Sequence, residues 1–122
     1  MMEIHKLEQA DLKPDNGLRA KRLLPWPDLN APFEGSWCVV EPHTESGAHA
    51  HHEYEIWVAI AGEAEIVTDS GTSAFVAGDV AYFTPHEWHQ VVNRGEQAFR
   101  MYSIWWDGDM TTRFARRHEV AS

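Results

Sequence analysis

The sequence predicts an all-β domain, a barrel or sandwich built of short strands. Runs of β-branched and aromatic residues recur from Gly35 onward, and turn-forming residues separate them at regular spacing. The 122 residues suffice for one domain that buries roughly two-thirds of its unfolded surface. An apolar fraction of 43% and six Trp residues indicate a globular chain with a large core.

The first 34 residues carry no clear period and are predicted to form an extended N-terminal arm. Pro25-Trp26-Pro27 and Ala31-Pro32 favour extended backbone, because proline lacks an N–H and restricts the residue before it. We expect the arm to pack on the barrel. It would either pair along a barrel edge or reach a neighbouring subunit, and the sequence leaves both arrangements open.

The barrel core is predicted to span residues 35–107, with residues 108–122 as a C-terminal tail. Along one strand Ala64, Ile66 and Thr68 share a face opposite Glu63 and Glu65, and Asp69-Ser70-Gly71 then supplies a hairpin turn. The predicted strands are Trp37–Glu41, Tyr54–Ile60, Glu63–Thr68, Thr72–Val76, Val80–Phe83, His89–Val92 and Gln97–Trp106. A loop is expected at 42–48, and a short helix over Asp109–His118.

The net charge of −9 argues against nucleic-acid and anionic-membrane partners, because both require a basic surface. The basic cluster Arg113, Arg116, Arg117 and His118 is expected to end the C-terminal helix. No apolar run approaches the ~20 residues of a membrane span, and the N-terminus lacks the apolar stretch of a signal peptide. A lone Cys38, which cannot form an intramolecular disulfide, is expected to be a small core residue. A cytoplasmic location is therefore predicted.

Histidines concentrate in the middle of the chain, where six of the eight lie between His43 and His89. In an extended strand alternate side chains share a face, so His49 and His51 are expected to aim at one point. Glu53 and Glu55 have the same parity, and spacing alone leaves either as the carboxylate partner. His52 points the other way.

A second segment places one more imidazole after a turn. A strand after Gly78 leads to Pro85, and His89 begins the next strand, which ends at Asn93. His89 is expected to approach the first cluster from across the barrel.

These two segments resemble the two sequence motifs of the cupin superfamily. The first motif is carried by His49, His51, Glu55 and Gly62, and the second by Gly78, Pro85, His89 and Asn93. The resemblance implies a double-stranded β-helix, or jelly-roll, barrel that binds one divalent metal ion through His49, His51, Glu55 and His89. It thereby favours Glu55 over Glu53. Cupins usually have glycine where this chain has His86, which is expected to alter the turn at the pocket mouth.

Three imidazoles and one carboxylate suit Zn(II) and Fe(II) first, and Mn(II), Ni(II) and Cu(II) as well. They leave one or two positions open for a substrate or water. Near the ion, Tyr102 and Tyr82 are predicted catalytic residues, as hydrogen-bond donors or general acids. His52 is a third catalytic candidate, because an unperturbed imidazole titrates near neutral pH. His86 and Glu87 are further acid–base groups near the rim.

Aromatic residues flank both motifs and are expected to fill the core or to wall the pocket. Trp57 and Trp88 lie next to the predicted ligands. Trp105 and Trp106 have opposite parity on the last strand, so only one of them is expected to face inward.

The leading functional prediction is a metal-dependent enzyme that acts on a small polar metabolite. Three stretches also look like the cupin part of bacterial hydrazine synthetases: Leu29–Trp37, His51–Ile56 and Met101–Asp107. That resemblance implies N–N bond formation between a hydroxylated lysine and a second amino acid, with zinc. The activated substrate would come from a separate partner similar to an aminoacyl-tRNA synthetase.

Two alternatives belong to other functional classes. One is an Fe(II)-dependent dioxygenase of a thiol or aromatic substrate, and the other is a non-enzymatic ligand-binding module. A homodimer is the expected assembly in each case.

Overall fold

The computed structural model describes residue 2, residues 4–22 and residues 31–116. These residues form ten short strands, one α-helix and a single 3-10 turn at Gln9–Asp11. In chain order the strands and the α-helix are β1 (Lys13–Asp15), β2 (Leu18–Arg22), β3 (Glu34–Val40), β4 (Thr44–Glu45), β5 (Tyr54–Ala61), β6 (Glu63–Thr68), β7 (Gly71–Val76), β8 (Val80–Phe83), β9 (His89–Asn93), β10 (Phe99–Trp106) and α1 (Gly108–Ala115). The predicted extended segment Pro25-Trp26-Pro27 and the predicted helix end at Arg117 and His118 lie outside these residues.

The strands form two sheets whose pairings are all antiparallel. One has the order β1-β2-β3-β10-β5-β8 and the other the order β4-β9-β6-β7. Side chains from both sheets meet in one apolar core, in which Val40, Phe99 and Met101 of the first sheet accompany Phe75 and Val91 of the second. The prediction of an all-β barrel with one short C-terminal helix is confirmed.

Alternation along the strands explains which faces are buried. In β6, Ala64 and Ile66 are buried, whereas Glu63 is exposed and Glu65 half-buried, as the sequence pattern predicts. Thr68 pairs with Gly71, so a two-residue turn joins β6 to β7. The core therefore lies between the sheets, and the two Glu side chains of β6 turn outward.

The N-terminal residues form a hairpin, which the sequence did not predict. Asn16 and Gly17, with φ angles of 51° and 81°, make the two-residue turn between β1 and β2. Strand β2 pairs with β3, so the hairpin extends the edge of the six-stranded sheet. Of the two arrangements left open for the arm, residues 13–22 adopt edge pairing.

Smaller differences concern a loop and the helix. The predicted loop at 42–48 contains the two-residue strand β4, which pairs with the end of β9. Helix α1 begins after Asp107, whose Oδ1 accepts a hydrogen bond from Met110 N at 2.7 Å and caps the helix. Among the described residues, no helix has the length and apolar character needed to span a membrane.

Candidate metal centre

Four side chains that the sequence singles out converge inside the barrel. One potential ligand atom from each of His49, His51, Glu55 and His89 lies within 4.8 Å of the other three. Glu55 and His89 are buried, while His49 and His51 are half-buried at the open side of the cluster. The structure thus brings all four predicted ligands together.

The route by which His49 and His51 reach this point differs from the predicted strand alternation. The regular strand β5 begins only at Tyr54, and His49 forms an isolated bridge with His89. In that bridge His49 N donates to His89 O at 3.2 Å and His89 N donates to His49 O at 3.1 Å. The convergence therefore depends on main-chain pairing between the two motif segments, and of the four side chains only those of Glu55 and His89 belong to regular strands.

Each of the three imidazoles has a main-chain carbonyl oxygen next to its Nδ1 atom. Nδ1 lies 3.2 Å from Gly47 O in His49, 3.2 Å from Glu53 O in His51 and 2.8 Å from Glu87 O in His89. With Nδ1 engaged in this way, Nε2 is the nitrogen of each ring that can bind a metal ion once it carries no proton. The Nε2 atoms of His51 and His89 face Glu55 Oε1, at 3.1 and 3.0 Å.

Glu55 is the electrostatic centre of the cluster. Burial alone would raise the pKa of this carboxyl group, but hydrogen bonds from His89, Ser103 and Trp57 outweigh burial and lower the pKa to about 2. The Ser103 hydroxyl donates to Oε2 at 2.5 Å and is itself buried. The carboxylate is therefore held ionised in an apolar interior, where an unpaired charge is costly.

The ring of His89 is fixed by aromatic neighbours as well as by its hydrogen bonds. It stacks on Phe83 with ring centres 4.2 Å apart and meets Trp57 edge-on at 5.2 Å. The side chain is 1% exposed. The imidazole of the second motif is thus the most buried of the three.

Glu53, which by spacing alone was an equal candidate for the carboxylate ligand, lies outside the cluster. Its Oε1 lies 3.4 Å from His51 Nδ1 and 3.3 Å from His52 Nδ1. It therefore contacts the far side of the His51 ring, away from Glu55. The choice of Glu55 agrees with the family resemblance.

A cavity of about 360 Å³ opens above the cluster. Trp57, Cys38 and Met101 belong both to its lining and to the apolar core, so the core forms the cavity floor. Burial raises the pKa of the Cys38 thiol to about 12, which makes it an inert core residue. Trp105 also lines the cavity, whereas Trp106 lies outside and stacks on Tyr54.

The predicted catalytic residues are not in this cavity. Tyr82 is 55% exposed on the outer face of β8, and Tyr102 packs edge-on against Trp37. Strand parity is the reason, since Ser103 points to Glu55 and its neighbour Tyr102 must point outward. The expectation that these two phenols lie near the metal site is wrong.

His52, the third catalytic candidate, lies at the rim and outside the cavity lining. Its Nε2 is 2.8 Å from Asp107 Oδ2, and this hydrogen bond, together with the charge of Glu53, raises the pKa of His52. The contact ties the ligand segment to the start of α1. A structural role in joining these two segments accounts for its position.

His86 occupies the turn position at which cupins usually have glycine. Its φ of 67° is the left-handed conformation that glycine favours, and His86 N donates to His51 O at 2.6 Å. The imidazole is exposed and is not among the cavity-lining groups. His86 thus adopts the backbone conformation that glycine favours, and an altered turn at the pocket mouth stays a prediction.

The N-terminal hairpin contributes site residues that the sequence analysis missed. Asn16 Nδ2 donates to Gly47 O at 3.1 Å and lies 3.0 Å from His49 Nδ1. A side chain at Gly47 would collide with the Asn16 amide, since its Cβ would stand 2.3 Å from Oδ1. The Asn16-Gly17 pair is a strong hairpin-turn signal, and it is the feature that locates this contact in the sequence.

The donor set fits a divalent metal ion. Three imidazoles whose Nε2 atoms can give up a proton to bind an ion, and one buried carboxylate, match the ligands of Zn(II), Fe(II) and related ions. Each imidazole also has the outer hydrogen bond that metal-binding histidines usually make. The residues present could therefore hold such an ion through His49, His51, Glu55 and His89.

Comparisons with known proteins agree with this geometry. The family described as "Cupin domain" matches residues 36–105. A Cupin 2 conserved barrel domain protein from Salinispora arenicola is 58% identical, with a TM-score of 0.92 over 97% of this chain and 99% of that one. The plu4264 protein from Photorhabdus luminescens is 36% identical, with a TM-score of 0.91 over 98% and 99%. The polyketide cyclase RemF from Streptomyces resistomycificus shares the fold at 20% identity, with a TM-score of 0.70 over 84% and 79%. The chain belongs to the cupin domain family.

Proposed function

We propose that this protein is a metal-dependent enzyme that acts on a small polar metabolite. The observation that carries the proposal is the four-residue cluster of potential ligands at one side of a cavity of about 360 Å³. Such a cavity is of the size that holds a small molecule, and polar groups within it converge on one point. We propose Zn(II) or Fe(II) as the resident ion.

The residues around the cluster have separate tasks in this proposal. A bound divalent ion would supply Lewis-acid or O2-activating chemistry. Ser103 keeps Glu55 ionised and in place, and the main-chain carbonyls keep the imidazole Nε2 atoms directed inward. Trp57 and Trp105 line the cavity with apolar surface, which limits water around the reacting groups.

The resemblance to hydrazine synthetases supports a specific version, in which the reaction forms an N–N bond. That reaction needs an activated N-hydroxyamine ester, and a synthetase-like partner would supply it. The version predicts that zinc supports the activity and that O2 is not consumed.

An Fe(II)-dependent dioxygenase uses the same ligands and is distinguished by O2 uptake. A ligand-binding module is distinguished by retention of a small molecule without its conversion. Each alternative thus has its own readout in a single assay of the metal-loaded protein.

Metabolite profiling tests the proposal. The protein is reconstituted separately with Zn(II) and with Fe(II), and each form is incubated with a small-molecule extract while O2 uptake is monitored. The metabolites that remain are compared by mass spectrometry with those of the same mixture containing His51→Ala. We expect at least one metabolite to be consumed by the wild type alone. Protein that binds metabolites but converts none contradicts an enzymatic role. The rim variant His52→Ala, whose altered side chain lies outside the cavity lining, is the matched control.

A further inference from the structure

One cation stands on the wall of the cavity away from the ligand cluster. Arg22, at the end of β2, is the single Lys or Arg side chain among the described residues that line the cavity. In the sheet, Arg22 pairs with Ser36, Ser36 with Ser103, and Ser103 with Trp57, so three strand spacings separate Arg22 from the strand of Glu55. At ~4.8 Å per spacing, this places the two backbones ~14 Å apart. Both side chains line the same cavity.

The Arg22 side chain is 53% exposed, and two neighbouring groups orient its guanidinium in the structure. Its central carbon lies 5.1 Å from the centre of the Trp105 ring, and Nη2 donates to Asp15 Oδ2 at 3.1 Å. A guanidinium has five N–H donors in a rigid plane, so the bond to Asp15 leaves others for a ligand. Arginine held in this way suits a carboxylate, which it can bind through two parallel hydrogen bonds.

The charges around the cavity limit the ligand further. Three carboxylates line it, those of Asp15, Glu53 and Glu55. Together they balance a divalent ion and Arg22, so the lined space carries no net charge with the ion present. A single carboxylate therefore adds less uncompensated negative charge than a phosphate dianion, which the carboxylates of the lining would repel more strongly.

We propose that Arg22 forms a carboxylate subsite, so that the substrate is a small carboxylic acid whose opposite end carries the metal-binding donor. This inference rests on the proposed metal-dependent function. It assigns Arg22 as a specificity residue and the N-terminal hairpin as the wall that selects the substrate. Asp15 and Trp105 orient the guanidinium.

Bifunctional hydroxamates test the subsite, because a hydroxamate binds metal ions and its other end can be varied. Zinc-loaded protein is titrated by calorimetry with acetohydroxamate, with succinic and glutaric monohydroxamates, and with β-alanine hydroxamate, which ends in an amine. We expect at least one carboxylate-ended probe to bind roughly tenfold or more tightly than acetohydroxamate, as for a charge-assisted hydrogen bond. The amine-ended probe should bind no more tightly than acetohydroxamate.

Three arginine variants test whether the gain in affinity comes from Arg22. Arg22→Gln should remove the advantage of the carboxylate while acetohydroxamate affinity stays unchanged. Arg19→Gln should keep the advantage, since Arg19 lies on the same strand but does not line the cavity. Arg22→Lys retains the positive charge but lacks the planar guanidinium. It should therefore keep only part of the affinity gain of the carboxylate-ended probes.

The comparison of probes on the wild type does not depend on the folding of any variant. Equal affinity for all probes, or a gain for the amine-ended one, overturns the carboxylate subsite and leaves the metal-dependent function standing. A gain that persists in Arg22→Gln also overturns it. Failure of acetohydroxamate to bind zinc-loaded protein would overturn the proposed function itself, and the subsite with it.

Discussion

Replacement of the Glu55 carboxylate by an amide tests the electrostatics of the cluster in metal-free protein. The pKa of Glu55 is about 2, against an ordinary value of 4.5, because hydrogen bonds from His89, Ser103 and Trp57 outweigh the effect of burial. One pKa unit corresponds to ~1.4 kcal/mol, so the ionised group adds about 3 kcal/mol to the free energy of unfolding at neutral pH. Since the pKa is lower in the folded state, this contribution is complete above pH 4.5 and is lost as the pH falls towards 2.

The assay is urea unfolding of metal-free protein, followed by tryptophan fluorescence at several pH values between 2.5 and 6. The difference in unfolding free energy between wild type and Glu55→Gln should shrink by about 2–3 kcal/mol over this interval. Glu53→Gln is the matched control, because Glu53 is two residues away and outside the cluster; it should keep the wild-type acid dependence. Parallel pH profiles for wild type and Glu55→Gln would refute the reasoning.

Three further changes probe other contacts. Ser103→Ala removes the hydroxyl that donates to the buried Glu55 carboxylate and should weaken zinc binding roughly tenfold in a competition titration; an unchanged affinity would show that this bond does not position the ligand. Asn16→Gly keeps the left-handed turn but removes the amide beside His49, so zinc affinity should fall by a similar factor while the free energy of unfolding changes little. A loss of stability without a loss of affinity would assign Asn16 to the turn alone. The homodimer stays a prediction: Tyr82→Glu, on the exposed outer face, should shift sedimentation velocity from dimer to monomer, and a monomeric wild type contradicts it.

Most of the barrel could be predicted from the sequence because its strands are short, β-prone and bounded by turn residues. The strands Glu63–Thr68 and Val80–Phe83 have the predicted limits. The N-terminal hairpin escaped prediction because its strands, Lys13–Asp15 and Leu18–Arg22, carry charged residues where a half-buried strand would carry apolar ones. An edge strand tolerates such residues, since its exposed side faces water.

The four clustered side chains could be predicted because residue type and spacing define the cupin motifs. The residues that form hydrogen bonds to these four side chains could not be predicted, because such contacts depend on strand parity and long-range pairing. A register shift of one residue turns every side chain to the opposite face, and the sequence analysis placed Tyr102 near the ion where the structure places Ser103. The hydroxyl that contacts Glu55 thus belongs to Ser103 and not to Tyr102. Arg22 reaches the cavity through the hairpin pairing, which the sequence analysis did not predict.

The metal content of two adjacent histidine variants tests the central claim most directly. Wild type, His51→Ala and His52→Ala are purified without added metal, equilibrated with one equivalent of zinc and analysed by elemental mass spectrometry after removal of free ions. His51 faces Glu55 and His52 faces Asp107, so the wild type and His52→Ala should retain about one ion per chain, and His51→Ala should retain almost none. Full occupancy of His51→Ala, or an empty wild type, would contradict the metal site.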